Sequence, residues 1–219
     1  MNNYDYRGTE DYYYPGTKIL INKLNIKNDE QLSVTERKIT RIKLYNLYTL
    51  PIPKSFDFSL YCNIHKNIFE DIYSWAGKTR RGEFFSKGVS IFCRGSLIQS
   101  NANKIFGKLE KEKYLYGLNK EDFISKTAYF MGELNALHPF REGNGRTLRE
   151  YFRQLSFNAG YILDFSKTDK NKLLIADINA LNGKYDSLEK ILNKAVNTNT
   201  LQINENKIIK TQNKKGRSL

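Results

Sequence analysis

His138-Pro139-Phe140-Arg141-Glu142-Gly143-Asn144-Gly145-Arg146-Thr147-Leu148-Arg149 is the stretch around which this 219-residue chain is organised. On its N-terminal side Asn119 opens a helix pattern, with Phe123, Thr127, Phe130, Met131, Leu134 and Leu137 on one face. Pro139 breaks that pattern. A second helix is expected from Arg146 to Ala159, turning Leu148, Phe152 and Leu155 inward and stopping at Gly160. The quoted residues therefore form a tight loop between two apolar-faced helices.

Read singly, their chemistry converges. His138 stands where a helix ends, and an imidazole titrates near neutrality, as a general base must. Glu142 offers a hard carboxylate oxygen of the kind Mg²⁺ takes alongside phosphate oxygens. Gly143-Asn144-Gly145 can turn backbone N–H groups inward as an anion nest. The nest runs into a helix N-terminus, where free amides and the dipole favour phosphate. Arg146 and Arg149 are three apart and share a helix face, and helical side chains lean toward the N-terminus. Guanidinium binds phosphate in bidentate fashion. Each piece alone is common in structural roles. Together at one helix start they point to nucleotide-dependent group transfer.

Outward from the loop the pattern is mostly helical. Leu32 to Leu50 carries Ile39, Ile42, Leu44, Leu47 and Leu50 at helical spacing, with Ser33 and Glu36 set as a capping box, and Pro51 and Pro53 end it. Phe58 to Trp75 reads as a helix with Leu60, Ile64, Ile68, Ile72 and Trp75 on one stripe, stopped by Gly77. Its His65 is read as structural, away from the motif. Gly82 to Ile91 reads as two short strands around a glycine turn. Helices follow from Ser96 to Glu112, Asp169 to Asn182 and Ser187 to Val196. The residue balance is 36 Lys+Arg against 23 Asp+Glu, net +13. Such charge suits nucleic acid, a membrane surface or an acidic substrate. Here the lysines are spread among many asparagines, which is a compositional bias and not a footprint. No membrane partner and no stable nucleic-acid partner are expected. Cys62 and Cys93 lack metal-ligand spacing. Residues 1–10 carry no apolar run, and no window approaches a membrane span. The chain reads as cytoplasmic and bacterial, with delivery into another cell left open.

The motif resembles the Fic-domain signature His-x-Phe-x-(Asp/Glu)-Gly-Asn-Gly-Arg-x-x-Arg at each fixed position. Tyr14-Pro15-Gly16-Thr17, Asp71 to Lys78 and Ser86-Lys87-Gly88 are similar to the family's preceding segments. The resemblance implies an all-α, mainly helical Fic fold with a small β-hairpin flap over the active site. It divides the chain into an N-terminal extension (1–10), a Fic domain (11–196) and a basic, disordered tail (197–219). It implies a protein adenylyltransferase, a nucleotidyltransferase of EC 2.7.7 type, moving AMP from ATP to a Tyr, Ser or Thr hydroxyl and releasing pyrophosphate. His138 would deprotonate that hydroxyl, and Phe140 would anchor the loop. Glu142 would hold Mg²⁺, and Gly143, Asn144 and Gly145 would form the anion hole. Arg146 and Arg149 would contact the β- and γ-phosphates. Ser86, Lys87 and Gly88 would form the flap that docks an extended target segment by strand addition. Gly145 stands where the related Doc-type kinases carry lysine, so AMP transfer is expected over phosphorylation. The adenine pocket would lie near the helix bearing Asn179 and Asn182.

Many relatives carry an inhibitory (Ser/Thr)-x-x-x-Glu-(Gly/Asn) helix whose glutamate pairs with the second motif arginine. Thr200 to Glu205-Asn206 is one residue too long for it. Glu30 and Glu36 lack the following Gly or Asn, and Thr79 to Glu83 is followed by Phe84. The expectation is a toxin-like enzyme inhibited by a separate small antitoxin, whose glutamate would bridge to Arg149. Its target protein would belong to a class such as topoisomerase subunits. The alternatives are a secreted effector that modifies host GTPases, and a basic nucleic-acid-binding module.

Overall fold

The computed structural model describes residues 4–7, 12–88 and 90–198, and of residues 4–7 the backbone. Most of the expected N-terminal extension and nearly all of the expected basic tail lie outside the described residues. Seven α-helices run through them: α1 (Asp29–Tyr48), α2 (Phe58–Phe69), α3 (Ile98–Lys111), α4 (Lys120–Leu137), α5 (Asn144–Asn158), α6 (Lys170–Leu181) and α7 (Asp186–Ala195). Five short strands accompany them: β1 (Tyr4–Arg7), β2 (Phe84–Lys87), β3 (Ser90–Ile91), β4 (Tyr161–Leu163) and β5 (Val196–Thr198). The expected mainly helical architecture with a small hairpin is what forms.

The centre is α4. It buries Phe123, Ile124, Thr127, Ala128, Phe130, Met131, Leu134 and Leu137, more than one face's worth, because α3, α5, α6 and α7 all pack around it. Gly132 allows a close approach of the α6–α7 pair. A Cβ there would lie 2.7 Å from the Tyr185 ring and 3.2 Å from Ala180 Cβ. The helix starts as expected at Asn119, whose side chain accepts the Asp122 N–H at 2.8 Å. It ends at His138, which adopts the left-handed conformation (φ 43°). After α5, Gly160 turns the chain into β4, which pairs antiparallel with β5, Leu163 opposite Val196.

Two expected helices are corrected. The first begins at Asp29, because the Asn28 side chain accepts the Gln31 N–H at 2.9 Å and caps it. Ser33 does not cap; its hydroxyl accepts from Arg37 Nη1 at 3.1 Å. Within the expected stripe Leu47 is buried, but Ile42 is 62% and Leu50 53% exposed. The second helix ends at Phe69, not Trp75. The amides of Ile72 and Tyr73 both return to the Phe69 carbonyl at 2.9 Å, and the Ile72 carbonyl is taken by Lys23 N–H at 2.7 Å. Tertiary bonding to the incoming chain thus overrides the apolar spacing.

The hairpin gains a strand that periodicity did not reveal. β1 pairs antiparallel with β2, so the sheet order is β1-β2-β3. No helix among the described residues is long and apolar enough to cross a membrane.

Removing the cap at the start of the central helix tests this account. Asn119→Ala is expected to lower the unfolding free energy by about 1 kcal/mol, read from urea denaturation. No change would mean that α4 starts without the cap.

Candidate active site

The left-handed turn at His138 takes the chain off α4 and under α5. Phe140 is fully buried, and its ring stacks on His65 at 3.8 Å and on Tyr61 at 5.6 Å. Asn144 then closes the loop. Its Oδ1 accepts the Phe140 N–H at 2.9 Å, and its Nδ2 donates to the Phe140 carbonyl at 2.7 Å. The Asn144 side chain is thus a brace, and only its backbone is left to face a ligand. Gly143 is positive in φ (+83°), and a Cβ there would lie 2.2 Å from Phe69 Cζ. No other residue type fits that position.

These constraints present donors. Helix α5 starts at Asn144, two residues earlier than expected, so Asn144 and Gly145 form its first turn. Their N–H groups have no acceptor among the described residues, as the first amides of a helix must lack. The Gly143 N–H is taken by Glu142 Oε1 at 2.9 Å. Glu142 Oε2 is buried and has no hydrogen-bond partner. An orphaned carboxylate oxygen beside free amides is a place for a cation and a phosphate together.

The two arginines part. Arg149 folds back along α5, so that a Cβ on Gly145 would lie 3.2 Å from its Nη1. Among the described residues it has no ion pair; burial lowers its pKa, opposed by the charge of Asp177. Asp177 itself is pushed up to about 6 by burial. Arg146 turns instead toward α1. It donates to Glu36 Oε1 at 2.6 Å and to Thr40 Oγ1 at 3.2 Å, lies 3.7 Å from Glu142 Oε1, and stands 4.6 Å over the Phe69 ring. Glu36 also accepts from the Tyr73 hydroxyl at 2.5 Å. The residue read as part of a capping box is the partner of a motif arginine.

His138 is poised for proton transfer. Its Nδ1 lies 3.2 Å from the Asn135 carbonyl, which can only accept, so Nδ1 carries the proton. Nε2 therefore holds the lone pair, is buried, and has no partner. The ring stacks on Phe92 at 3.8 Å and meets Phe85 at 5.4 Å, both from the flap segment. Burial drives its pKa down to about 3, opposed by the Asn135 bond and aided by the charges of Arg80 and Lys87. In the flap Ser86 is buried, Lys87 is exposed, and Gly88 turns with φ +57°.

Besides Glu36, two residues of this site escaped the sequence reading. Arg80 donates from Nε to the His138 carbonyl at 2.8 Å and from its amide to the Pro139 carbonyl at 2.7 Å, and its Nη2 bonds the Cys93 carbonyl. It ties the flap to the motif. His65, read as remote, touches the loop directly. Its Nδ1 accepts the Gly77 N–H at 2.8 Å, so Nε2 must donate to the Glu142 carbonyl at 2.9 Å. Burial lowers its pKa to about 3. Nothing local marks either residue. Asn179 and Asn182 spend their side chains on Ser187 Oγ and the Ile178 carbonyl, and Asn182 is the C-cap of α6.

Two predictions follow from this geometry. Gly143→Ala is expected to cost more than about 2 kcal/mol of stability, read by thermal unfolding; a wild-type melting temperature would refute the close packing on Phe69. The second concerns pH. Both histidines bind protons more readily when unfolded, so they remove stability as pH falls from 6.5 toward 3. Asp177 binds its proton more readily when folded, so it restores stability as pH falls from 6 toward 4. At pH 5 the unfolded chain holds one more proton than the folded one from these three groups. Stability should fall by about 1.4 kcal/mol per pH unit there, and by about 2.7 in Asp177→Asn. Equal slopes in the two proteins would show that Asp177 does not titrate as described.

Comparison with known proteins identifies the family. The Fic/DOC family profile matches residues 55–155. The protein adenylyltransferase VbhT of Bartonella schoenbuchensis is 38% identical over 86% of this chain, which spans 40% of VbhT's length. The probable protein adenylyltransferase Fic of Escherichia coli K12 is 32% identical over 86% of this chain and 93% of its own. BepC of Bartonella tribocorum, a VirB-translocated effector solved with bound AMPPNP, superposes with a TM-score of 0.83 at 26% identity, covering 86% of this chain and 97% of BepC. Fold and sequence are thus shared with these proteins, and this chain belongs to the Fic/DOC family.

Proposed function

We propose that this chain transfers AMP from ATP to a hydroxyl of a target protein and releases pyrophosphate. The observation that carries the reading is His138 Nε2, a buried, unpartnered lone pair whose opposite nitrogen is fixed by Asn135. A base so held needs no prior deprotonation at neutral pH. The hydroxyl oxygen bonds to the α-phosphorus, its proton goes to Nε2, and the bond from the α-phosphorus to the departing pyrophosphate breaks. The free Asn144 and Gly145 amides would hold phosphate oxygens. Arg149, over Gly145, would meet the outer phosphates. Arg146, held by Glu36, would contribute its charge beside Glu142.

Glu142 would hold Mg²⁺ through the orphaned Oε2. Mg²⁺ takes one or two protein carboxylates and completes its shell with phosphate and water. The ion supplies charge neutralisation on the phosphates.

The setting we propose is that of a bacterial toxin with a separate antitoxin. Arg149 has no carboxylate partner in the described chain, which leaves it open to a glutamate from outside. Topoisomerase subunits are the acceptor class for this setting. Delivery into another cell, with GTPases as acceptors, is the second setting, favoured by the likeness to a translocated effector.

The test incubates the chain with Mg²⁺ and ATP labelled at the α- or γ-phosphate, in bacterial and eukaryotic lysates. α-Label alone should appear on protein, falling in His138→Ala by a factor on the order of 10²–10⁴. γ-Label alone would mean phosphorylation and overturn the reading. The lysate that yields the labelled band chooses between the two settings.

A further inference from the structure

We propose that Glu36, backed by Tyr73, is a positioning residue of this site: it draws Arg146 away from Glu142 and so keeps the Glu142 carboxylate open to Mg²⁺. The inference rests on the reading of Glu142 as the metal ligand.

Two acids compete for one guanidinium. Arg146 Nη2 lies within ion-pair reach of Glu36 Oε1 at 2.6 Å and of Glu142 Oε1 at 3.7 Å. Glu142 is four residues from Arg146 and Glu36 is 110, yet the distant carboxylate holds the short contact. The side chains of Glu36 and Glu142 are 13% and 18% exposed, so salt and water screen neither attraction well. Without the charge of Glu36, the guanidinium would be drawn onto Glu142. There it would occupy the metal's ligand and set a positive charge beside the cation.

Helix α1 and the turn after α2 hold the arginine off. Glu36 and Thr40 are four apart, so they share one face of α1 and meet the guanidinium together. Nη2 donates to Glu36 while Nη1 donates to Thr40 Oγ1 at 3.2 Å, and the Phe69 ring lies 4.6 Å from the guanidinium carbon. Tyr73 fixes the carboxylate from behind. Its hydroxyl donates to Glu36 Oε2 at 2.5 Å, which leaves Oε1 to Arg146. The Tyr73 ring is itself buried and stacks on Trp75 at 4.4 Å. Burial, and then the charge of Glu36, push the Tyr73 pKa up, so the phenol keeps its proton and donates. Each Glu36 oxygen thus has a protein donor, whereas Glu142 Oε2 has none.

The consequence is a coupling between Glu36 and the metal, without contact between Glu36 and the nucleotide. Calorimetry on the full chain reads it with the α,β-methylene analogue of ATP, whose carbon bridge replaces the oxygen at the bond that transfer would break. The ratio of its affinity in Mg²⁺ to its affinity in EDTA measures what the metal contributes. Glu36→Gln keeps the shape of the side chain and removes its charge. In that variant the ratio should fall about tenfold, within the range of couplings between linked sites. The affinity in EDTA should not fall, since no phosphate contact is removed. Tyr73→Phe should lower the ratio by less. In an Arg146→Ala background no guanidinium competes for Glu142, and adding Glu36→Gln should leave the ratio unchanged. An unchanged ratio in Glu36→Gln alone, equal losses in Mg²⁺ and EDTA included, would overturn the inference and leave Glu142 as the metal ligand. A further fall in the Arg146→Ala background would also overturn it, since Glu36 would then act without Arg146. A wild-type affinity that Mg²⁺ does not change would overturn both the inference and the reading of Glu142.

Discussion

A neutral imidazole can accept a hydrogen bond on one side and donate one on the other, and His65 is used in that way. It accepts from the Gly77 amide and donates to the Glu142 carbonyl, so α2 and the turn after it are joined to the anion loop through one ring. The same ring stacks on Phe140 and on Phe69. Phe69 in turn lies under Gly143 and beneath the Arg146 guanidinium. A proton on His65 would break the Gly77 bond and place a cation close to Arg146. The loop's shape therefore depends on a ring that stays uncharged, which its burial enforces.

With the loop fixed from below, the charges above it are arranged by difference. Arg146 is committed to α1 through Glu36 and Thr40, and its neighbour Glu142 keeps one oxygen for Gly143 and one without a partner. Arg149 has no ion pair among the described residues and is offset in charge by Asp177. Two arginines at helical spacing thus have different freedom. One is pre-oriented by a protein carboxylate. The other is held by α5 and open to a ligand's charge. An inhibitor or a phosphate chain would compete for the second and scarcely disturb the first.

The sequence made legible whatever is local. Asn119 as a cap, Pro139 as a break, the inward face of α4 and the loop between two helices all lie within a few residues of their partners. The strand pair around Gly88 was legible for the same reason. What was illegible is carried by contacts far apart in the chain: Glu36 with Arg146 across 110 residues, His65 with Glu142 across 77, and Arg80 with His138 across 58. Periodicity carries no information on which distant element will face a side chain. Glu36 shows the hazard, since its spacing from Ser33 fits a capping box while its carboxylate serves another helix. Strand β1 was hidden for a related reason. A four-residue strand gives too short an alternation to register, and its pairing exists only because β2 has an edge to offer.

The flap links the fold to the chemistry. Phe85 and Phe92 close over His138 from the flap, and Arg80 locks the flap's base to the motif by bonding both the His138 and the Cys93 carbonyls. Those rings help bury the His138 imidazole, and burial is the leading cause of its low pKa, so the flap segment contributes to keeping the base neutral.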